Sequence, residues 1–516
     1  MSVDQMVFED ALEVGSLMIP TGPKPEGVPP IVLGLDIGTS GARAGLFDGR
    51  GNEIAGSMIC FSDKVYQPLR SGVDVDADQL FAETVQVIDR LMQREDTESA
   101  RIDIVAVSCF WHSLLGVGRD GSAVTPLYGW ADLRSAAAAE RLRSQCDENE
   151  VHQRTGCRFH PSYWPAKLSW LRSEQEELFE TVSTWMSFGE YFQQRLIGEM
   201  TCSVSMASGS GLLNQRDCEW DSELLRILDL SAGQLPAIAG PRQTLTKLKD
   251  ENWEFGWERL NHARWFPAIG DGAASNIGAG CVTAESALLM IGTSGAMRII
   301  YEGEPPAKIP PELWSYRVDH QRVVVGGALS DGGGLYRWMR ETLAVLSDDE
   351  GTERALAAMD ADSHGLTVLP FWSGERSTGW NASARGAILG LSSKTEPLDI
   401  VRASMEGIAY RFAFIAEALE SVAPQAAIVA AGNALLASPC WSQIVSDVLG
   451  QPVRLSTAGE ASLRGAVLLA LSGTDPMELG GIPSAGDRVF EPDMSRHEKY
   501  RVARERQQQA YEKLYV

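Results

Sequence analysis

The sequence is poor in the features that mark several functional classes. Basic residues are few: 45 Lys and Arg stand against 69 Asp and Glu, a formal charge of −24 at pH 7. That balance argues against a nucleic-acid binder or a protein that docks on anionic membranes, since both need cationic surface. It also means that a phosphate or carboxylate ligand must be held by local donors. Cysteine is scarce, with eight residues scattered from Cys60 to Cys440, no CxxC and no Cys/His cluster of zinc spacing. Buried thiols in a reducing compartment are expected. Long apolar runs are absent. The longest weakly charged stretch, Gly272 to Met297, is rich in Gly, Ala and Ser and is interrupted by Glu285, so no membrane span is read. Met1 to Pro20 carries Asp4, Glu9, Asp10 and Glu13 and no early basic residue, unlike a signal peptide. A cytoplasmic protein is expected. There is also no GxxxxGK[ST], no GxGxxG after a strand and no GxSxG, which removes three common nucleotide and hydrolase fingerprints.

What is present is a chain of 516 residues, 44% hydrophobic, long enough for several domains with substantial cores. Ile19 to Pro30 holds five prolines in twelve residues and reads as a linker after an N-terminal extension, 1–30. From Ile31 an apolar run reaches Gly38, a buried strand and tight turn. Ala42 to Phe47 and Glu53 to Cys60 read as two further strands around the turn Asp48 to Asn52. Leu80 to Met92 has helical spacing, and Arg101 to Ser108 is again a strand. This mixture is that of an α/β fold.

An internal repeat organises the rest. Ile37 to Ala42 and Ile291 to Ala296 both read IGTSGA, each after an apolar strand and each followed by a basic residue, Arg43 or Arg298. Six identical residues in one local context suggest two related halves, against the plainer alternative of two unrelated glycine-rich turns. Glycine lets backbone N–H groups converge, and Thr and Ser add hydroxyls, so each loop suits phosphate oxygens. Two such loops facing each other would grip a polyphosphate.

In the second half, Gly386-Ala387-Ile388-Leu389-Gly390-Leu391 is followed by seven residues, then Asp399-Ile400, and by Ala403-Ser404-Met405-Glu406-Gly407. This 22-residue pattern resembles the FGGY carbohydrate kinase signature. Leu35 to Ser40 is similar to the first phosphate motif of the sugar kinase/actin/Hsp70 superfamily. Gly270-Asp271-Gly272 resembles the catalytic-base segment, Ile291 to Gly295 the second phosphate loop, Ala430 to Trp441 the adenosine loop and Glu460 to Ala470 the last core helix. The resemblance runs from Ile31 to nearly the C-terminus. It implies two ribonuclease-H-like (actin-like ATPase) α/β domains with a cleft between them, 31–267 carrying the sugar site and first phosphate loop and 268–516 binding the nucleotide, with a hinge near Pro267.

The implied reaction transfers the γ-phosphoryl of ATP to a sugar hydroxyl. The resemblance makes Asp271 the general base, where the residues alone would favour a turn aspartate bonding its own backbone. Asp36 becomes the Mg²⁺ partner, since a carboxylate at the end of a buried strand needs a cation or donors. Gly38, Thr39, Ser40 and Arg43 face the phosphates from one side and Gly292, Thr293 and Ser294 from the other. Gly432, Asn433 and Ala434 contact adenosine. The family usually has a second glycine where Asn433 stands and often a polar residue at Ala437; Asn tolerates left-handed backbone. Trp111 and His112 fall where relatives hold polyol hydroxyls, with Asp132 and Arg134 as further substrate contacts.

The stretches Phe110 to Leu114, Tyr128 to Arg134, His152 to His160 and Gly374 to Gly386 resemble the gluconate kinases of the family most. A gluconate carboxylate would need a cation, with Arg134, Arg158, His160 and Lys167 as candidates. Pentulose, glycerol or erythritol phosphorylation is the alternative, followed by a sugar-binding regulator without turnover and by an actin- or Hsp70-like ATPase. Small-molecule sugar and ATP are the expected partners; homodimerisation is compatible with the charge.

Overall fold

The structure is a computed structural model that describes residues 30–38, 41–61, 67–68, 73–94, 101–245, 257–343, 349–456, 458–474, 479 and 488–516. The extension and all but the last residue of the linker lie outside these residues, as do Thr39 and Ser40 of the first glycine-rich loop.

The first sheet grows from β1 (Val32–Gly38) and β2 (Gly41–Phe47), an antiparallel hairpin, with β3 (Ile59–Phe61) added to β2. The expected strand from Glu53 to Cys60 is thus reduced to its end. Gly56 turns left-handed at φ 73°, and the Ser57 hydroxyl takes both the N–H and the C=O of Leu46 (2.9 and 3.2 Å). A side chain replaces the ladder there, and only Glu53 keeps an isolated bridge to Phe47. Helix α1 (Ala77–Met92) starts under an Asp76 cap and buries Leu80, Val87, Ile88 and Leu91 against the sheet. β4 (Ile104–Cys109) lies parallel to β1 on its other side. After α2 (Trp164–Glu174), two short strands, β5 (Arg264–Trp265) and β6 (Ile269–Gly270), also pair with β4. Pro267 falls between them, and β6 leads directly into α3 (Asp271–Gly278).

The second half repeats this plan. β7 (Ser286–Ile291) and β8 (Gly295–Glu302) form a hairpin, and β9 (Trp314–Arg317) pairs with β10 (Arg322–Leu329), which in turn borders β8. α4 (Gly333–Thr342) and the 23-residue α5 (Pro397–Leu419) cover the sheet. β11 (Ala427–Ala431) runs parallel to β7, α6 (Asn433–Ala437) follows it, and β12 (Val453–Leu455) extends the sheet. Hairpin, third antiparallel strand and parallel fourth strand therefore occur in the same order in both halves. The repeat is not copied in register. In the first half the last pair is Gly38 with Gly41, leaving two residues between them; in the second it is Ile291 with Gly295, leaving the three residues Gly292, Thr293 and Ser294.

The chain then returns. α7 (Ala461–Thr474) does not join the second sheet. Its Leu463, Ala466, Val467, Ala470 and Leu471 pack with Val32, Phe47, Ile104, Ala106 and Ile269 of the first. It crosses α3 at two glycines. A Cβ on Gly278 would lie 1.8 Å from the Ala461 carbonyl oxygen, and one on Gly465 would lie 1.8 Å from that of Ala274. The helices touch backbone to backbone. After β13 (Val489–Phe490), α8 (Met494–Tyr515) closes the second half. Among the described residues, no helix is long and apolar enough to cross a membrane.

Candidate active site

Parallel pairing brings the carboxyl ends of β1, β4 and β6 together: Ile37 and Gly270 both lie beside Cys109. The residues that follow these strands converge, as ligand-binding residues do in open α/β sheets. Asp36 comes from β1, Trp111 and His112 from the turn after β4, and Asp271 from the start of α3.

Asp36 is buried. Its Oδ2 accepts from Ser462 on α7 (2.8 Å) and stands 3.8 Å from Arg43, while Oδ1 has no hydrogen-bond partner among the described residues. Burial raises its proton affinity; the nearby Ser108 and Ser462 hydroxyls and the Arg43 charge offset part of that. A buried carboxylate oxygen without a hydrogen-bond partner suits a hard cation, so this carboxylate fits Mg²⁺. Arg43 is also tied to Glu460 at 2.7 Å.

Asp271 is half-buried at the head of α3 and accepts from the Gly272 N–H at 2.8 Å. Burial pushes its carboxyl up to about 6, with Asp36 acting in the same direction and Arg298 and the Gly272 and Trp111 amides against it. Arg298, one strand away on β8, donates to the Gly272 carbonyl at 2.9 Å, and its own proton affinity falls to about 10 through burial.

Trp111 fills a slot made by missing side chains. A Cβ at Gly270, Gly272 or Gly209 would come within 1.8, 2.4 and 2.4 Å of its ring. Its Nε1 donates to Ser205 O, and Tyr316 meets it edge-on at 5.1 Å. The ring is therefore a wedge beneath Asp271. His112 takes φ 70°, and its Nδ1 is 2.5 Å from Gly209 O. Burial and the nearby Arg376 keep the imidazole neutral, so Nδ1 carries the proton and Nε2 presents a lone pair. Asp132 and Arg134 form a closed pair. Arg134 Nε reaches both Asp132 oxygens (3.1 and 3.0 Å), and its guanidinium also bonds Asp74 and stacks on Tyr128 and Trp170.

In the second half, Gly292 to Ser294 follow β7 and Gly432 follows its neighbour β11. Gly333 approaches both loops: a Cβ there would lie 2.7 Å from Gly292 O and 3.2 Å from the Ala434 Cβ. The N–H groups of Gly332 and Gly334 bond Thr293 O, and that of Gly333 bonds Gly292 O. This pins the loop, while among the described residues the Thr293 and Ser294 hydroxyls have no partner in the chain. The left-handed position of the adenosine-like loop is Gly432 (φ 95°), where a Cβ would meet Ile291 O at 2.4 Å. Asn433 is the first residue of α6; it has no need of left-handed tolerance. Sequence reasoning did not single out Ser462, Arg376 or the Gly332–Gly334 run, although Ser462 lies in the Glu460–Ala470 segment and Arg376 in the Gly374–Gly386 segment that carried the resemblance.

The chain matches the family models "FGGY family of carbohydrate kinases, N-terminal domain" over residues 31–257 and "C-terminal domain" over 287–473. The chain belongs to the FGGY family of carbohydrate kinases. It is 26% identical to a gluconokinase of Bacillus subtilis over 87% of this chain and 88% of that one, and 26% identical to a xylulose kinase of Escherichia coli over 93% and 99%. Among solved structures, a gluconate kinase from Lactobacillus acidophilus superposes with a TM-score of 0.85 at 27% identity, covering 94% of this chain and 98% of that one. The two halves are thus the two actin-like domains of an FGGY kinase, and the protein is a phosphotransferase that acts on an alcohol group of a carbohydrate. Family members use ATP as the phosphoryl donor.

Proposed function

We propose that this FGGY kinase phosphorylates a sugar acid, D-gluconate foremost, with Asp271 as general base. The observation that carries the base assignment is a carboxylate raised to about 6 at the junction of β6 and α3, in the same field as Asp36. A base poised near the working pH can take the hydroxyl proton as it becomes acidic in the transition state. The similarity to gluconate-named relatives supports the acceptor. His112 would line the acceptor-sugar site beside Trp111. Asp36, steadied by Ser462, would hold Mg²⁺, which supplies charge neutralisation at the phosphate oxygens. Thr293 and Ser294 would meet the phosphates from the second domain, and Gly432, Asn433 and Ala434 the adenosine.

The crossing of α3 and α7 gives this site a fixed half. Asp271 heads α3 and Ser462 lies near the start of α7, and the helices are in backbone contact at Gly278 and Gly465. Domain closure would then deliver the nucleotide to a preset pair of carboxylates and exclude water; the hinge expected near Pro267 does not fit, because the strands on both sides of Pro267 pair with β4 of the first sheet. Small-angle scattering without compaction on adding sugar and a non-hydrolysable nucleotide would count against closure.

The xylulose- and glycerol-kinase relatives, at 26% and 27% identity, favour a neutral polyol as the second reading. An ADP-release assay with Mg-ATP against D-gluconate, D-xylulose, D-ribulose, L-ribulose, glycerol and erythritol separates them. Turnover on gluconate that disappears in Asp271→Asn supports substrate and base together. Turnover on a neutral polyol alone overturns the acceptor. Sugar binding without turnover in either protein points to a regulator.

A further inference from the structure

Among the described residues five arginines are buried: Arg298, Arg317, Arg376, Arg402 and Arg411. Arg317 pairs with Glu304 (2.6 Å), Arg402 with Glu406 (2.7 Å) and Arg411 with Glu375 (2.6 Å). Arg298 donates to Gly272 O and faces Asp271. Arg376 has no carboxylate partner among the described residues. Its Nη2 lies 3.4 Å from His112 Nε2, and its guanidinium stacks 5.4 Å from the centre of the Trp130 ring.

These neighbours do not cancel the Arg376 charge. Arg376 helps to lower the proton affinity of His112, of His160 (to about 3), of Lys167 (to about 7) and of Arg298, in each case after burial as the larger cause. A buried guanidinium with no counter-ion among the described residues is unfavourable until an anion arrives. Its backbone is nevertheless held firmly. Glu375 is gripped by Arg411 and by Tyr511 of α8 (2.6 Å each), and its carbonyl is 3.1 Å from His160 Nε2.

The other cations of this region are committed. Arg134 is closed by Asp132 and Asp74. Arg158 bonds Glu148 (3.0 Å) and Pro311 O. His160 is neutral, and Lys167 Nζ donates to the carbonyls of His112, Tyr128 and Ser162 (2.8, 3.4 and 2.9 Å). Arg376 is also suitably sited relative to the base. The Trp111 ring packs against Gly270 and Gly272 on either side of Asp271, and the next residue, His112, is the one Arg376 approaches, so one short wall carries a base at one end and a cation at the other.

We propose that Arg376 is the specificity residue that binds the substrate's carboxylate, so that a sugar acid is held at one end by Arg376 while its far hydroxyl faces Asp271. This rests on the sugar-acid reading above. A planar fork suits a carboxylate in a way an ammonium does not.

The test compares D-gluconate with D-glucitol, which replaces the carboxylate by a neutral CH₂OH, and with D-xylulose. Binding is read by calorimetry and turnover by ADP release, in the wild type, Arg376→Gln, Arg376→Lys and Arg376→Ala. The expected result is about a hundredfold weaker gluconate binding in Arg376→Gln, expressed in KM more than kcat. Neutral polyols should change less than about threefold. Arg376→Lys, which keeps the charge and spares the fold, should lose an intermediate amount, and millimolar methylguanidine should restore gluconate turnover to Arg376→Ala. Equal losses on acid and neutral substrates, or undiminished gluconate binding, overturn the Arg376 proposal alone. Wild-type turnover on neutral polyols with none on any sugar acid overturns the substrate reading and the proposal together.

Discussion

Asp271→Asn should abolish turnover and yet make the protein more stable at neutral pH. In the fold the carboxyl is raised from 3.8 to about 6, chiefly by burial. Folding therefore favours its protonated form. The stabilisation of that form is fully present below the unfolded value near 3.8, is lost as the pH climbs through the folded value, and is absent above about 7. The shift corresponds to at most about 3 kcal/mol between pH 4 and pH 8, at 1.36 kcal/mol per unit. Asparagine keeps an acceptor for the Gly272 and Trp111 amides without the charge. The assay is urea unfolding of both proteins at pH 4.5 and pH 8, reading the difference between them so that other titrating groups cancel. The variant should gain up to about 3 kcal/mol at pH 8 and much less at pH 4.5, while kcat falls by about 10²–10⁴. A gain of equal size at both pH values, or no gain at pH 8, would refute the claim that ionising Asp271 strains the fold.

Three other outcomes follow from the same geometry. Arg298→Met removes a positive charge that lowers the Asp271 value, so the acid limb of the kcat/KM profile, expected near pH 6, should move to higher pH. Glu375→Gln leaves Arg411 buried opposite a neutral group and should lower stability by about 3–5 kcal/mol in denaturant melts. Gly465→Ala puts a methyl group into the Ala274 carbonyl; overpacking of about 1–3 kcal/mol should outweigh the roughly 1 kcal/mol that alanine adds to helix propensity, giving a lower unfolding midpoint.

The architecture was legible from the repeat and from the 22-residue signature, but the signature speaks of packing. Glu406 is buried among Arg402, His364, Tyr410 and Tyr500, and Gly407 lies against Val368 O and Gln507 of α8. Its spacing records how α5 is pinned to the last helix. The individual site residues divide by how local their signal is. Asp36, His112, Asp271 and Gly432 each stand at a strand end, where chain order predicts their position. Arg376 is noteworthy because no carboxylate among the described residues pairs with it, and that requires knowing which carboxylates serve Arg134, Arg317, Arg402 and Arg411. The register offset between the two glycine loops is likewise invisible in six identical residues, since the pairing partners decide it. So is the destination of α7, whose apolar face would suit either sheet.

That destination has a consequence for the order in which the molecule can be made. The first sheet ends at Gly270, but the helix that covers one of its faces begins about 190 residues later. At common rates of synthesis this is a delay of roughly 10–40 s. During that time Val32, Phe47, Ile104, Ala106 and Ile269 lack their covering helix. The N-terminal domain is the first to be synthesised and cannot be the first to be finished, so the emerging chain presents an uncovered apolar sheet face to chaperones until the second domain is nearly complete.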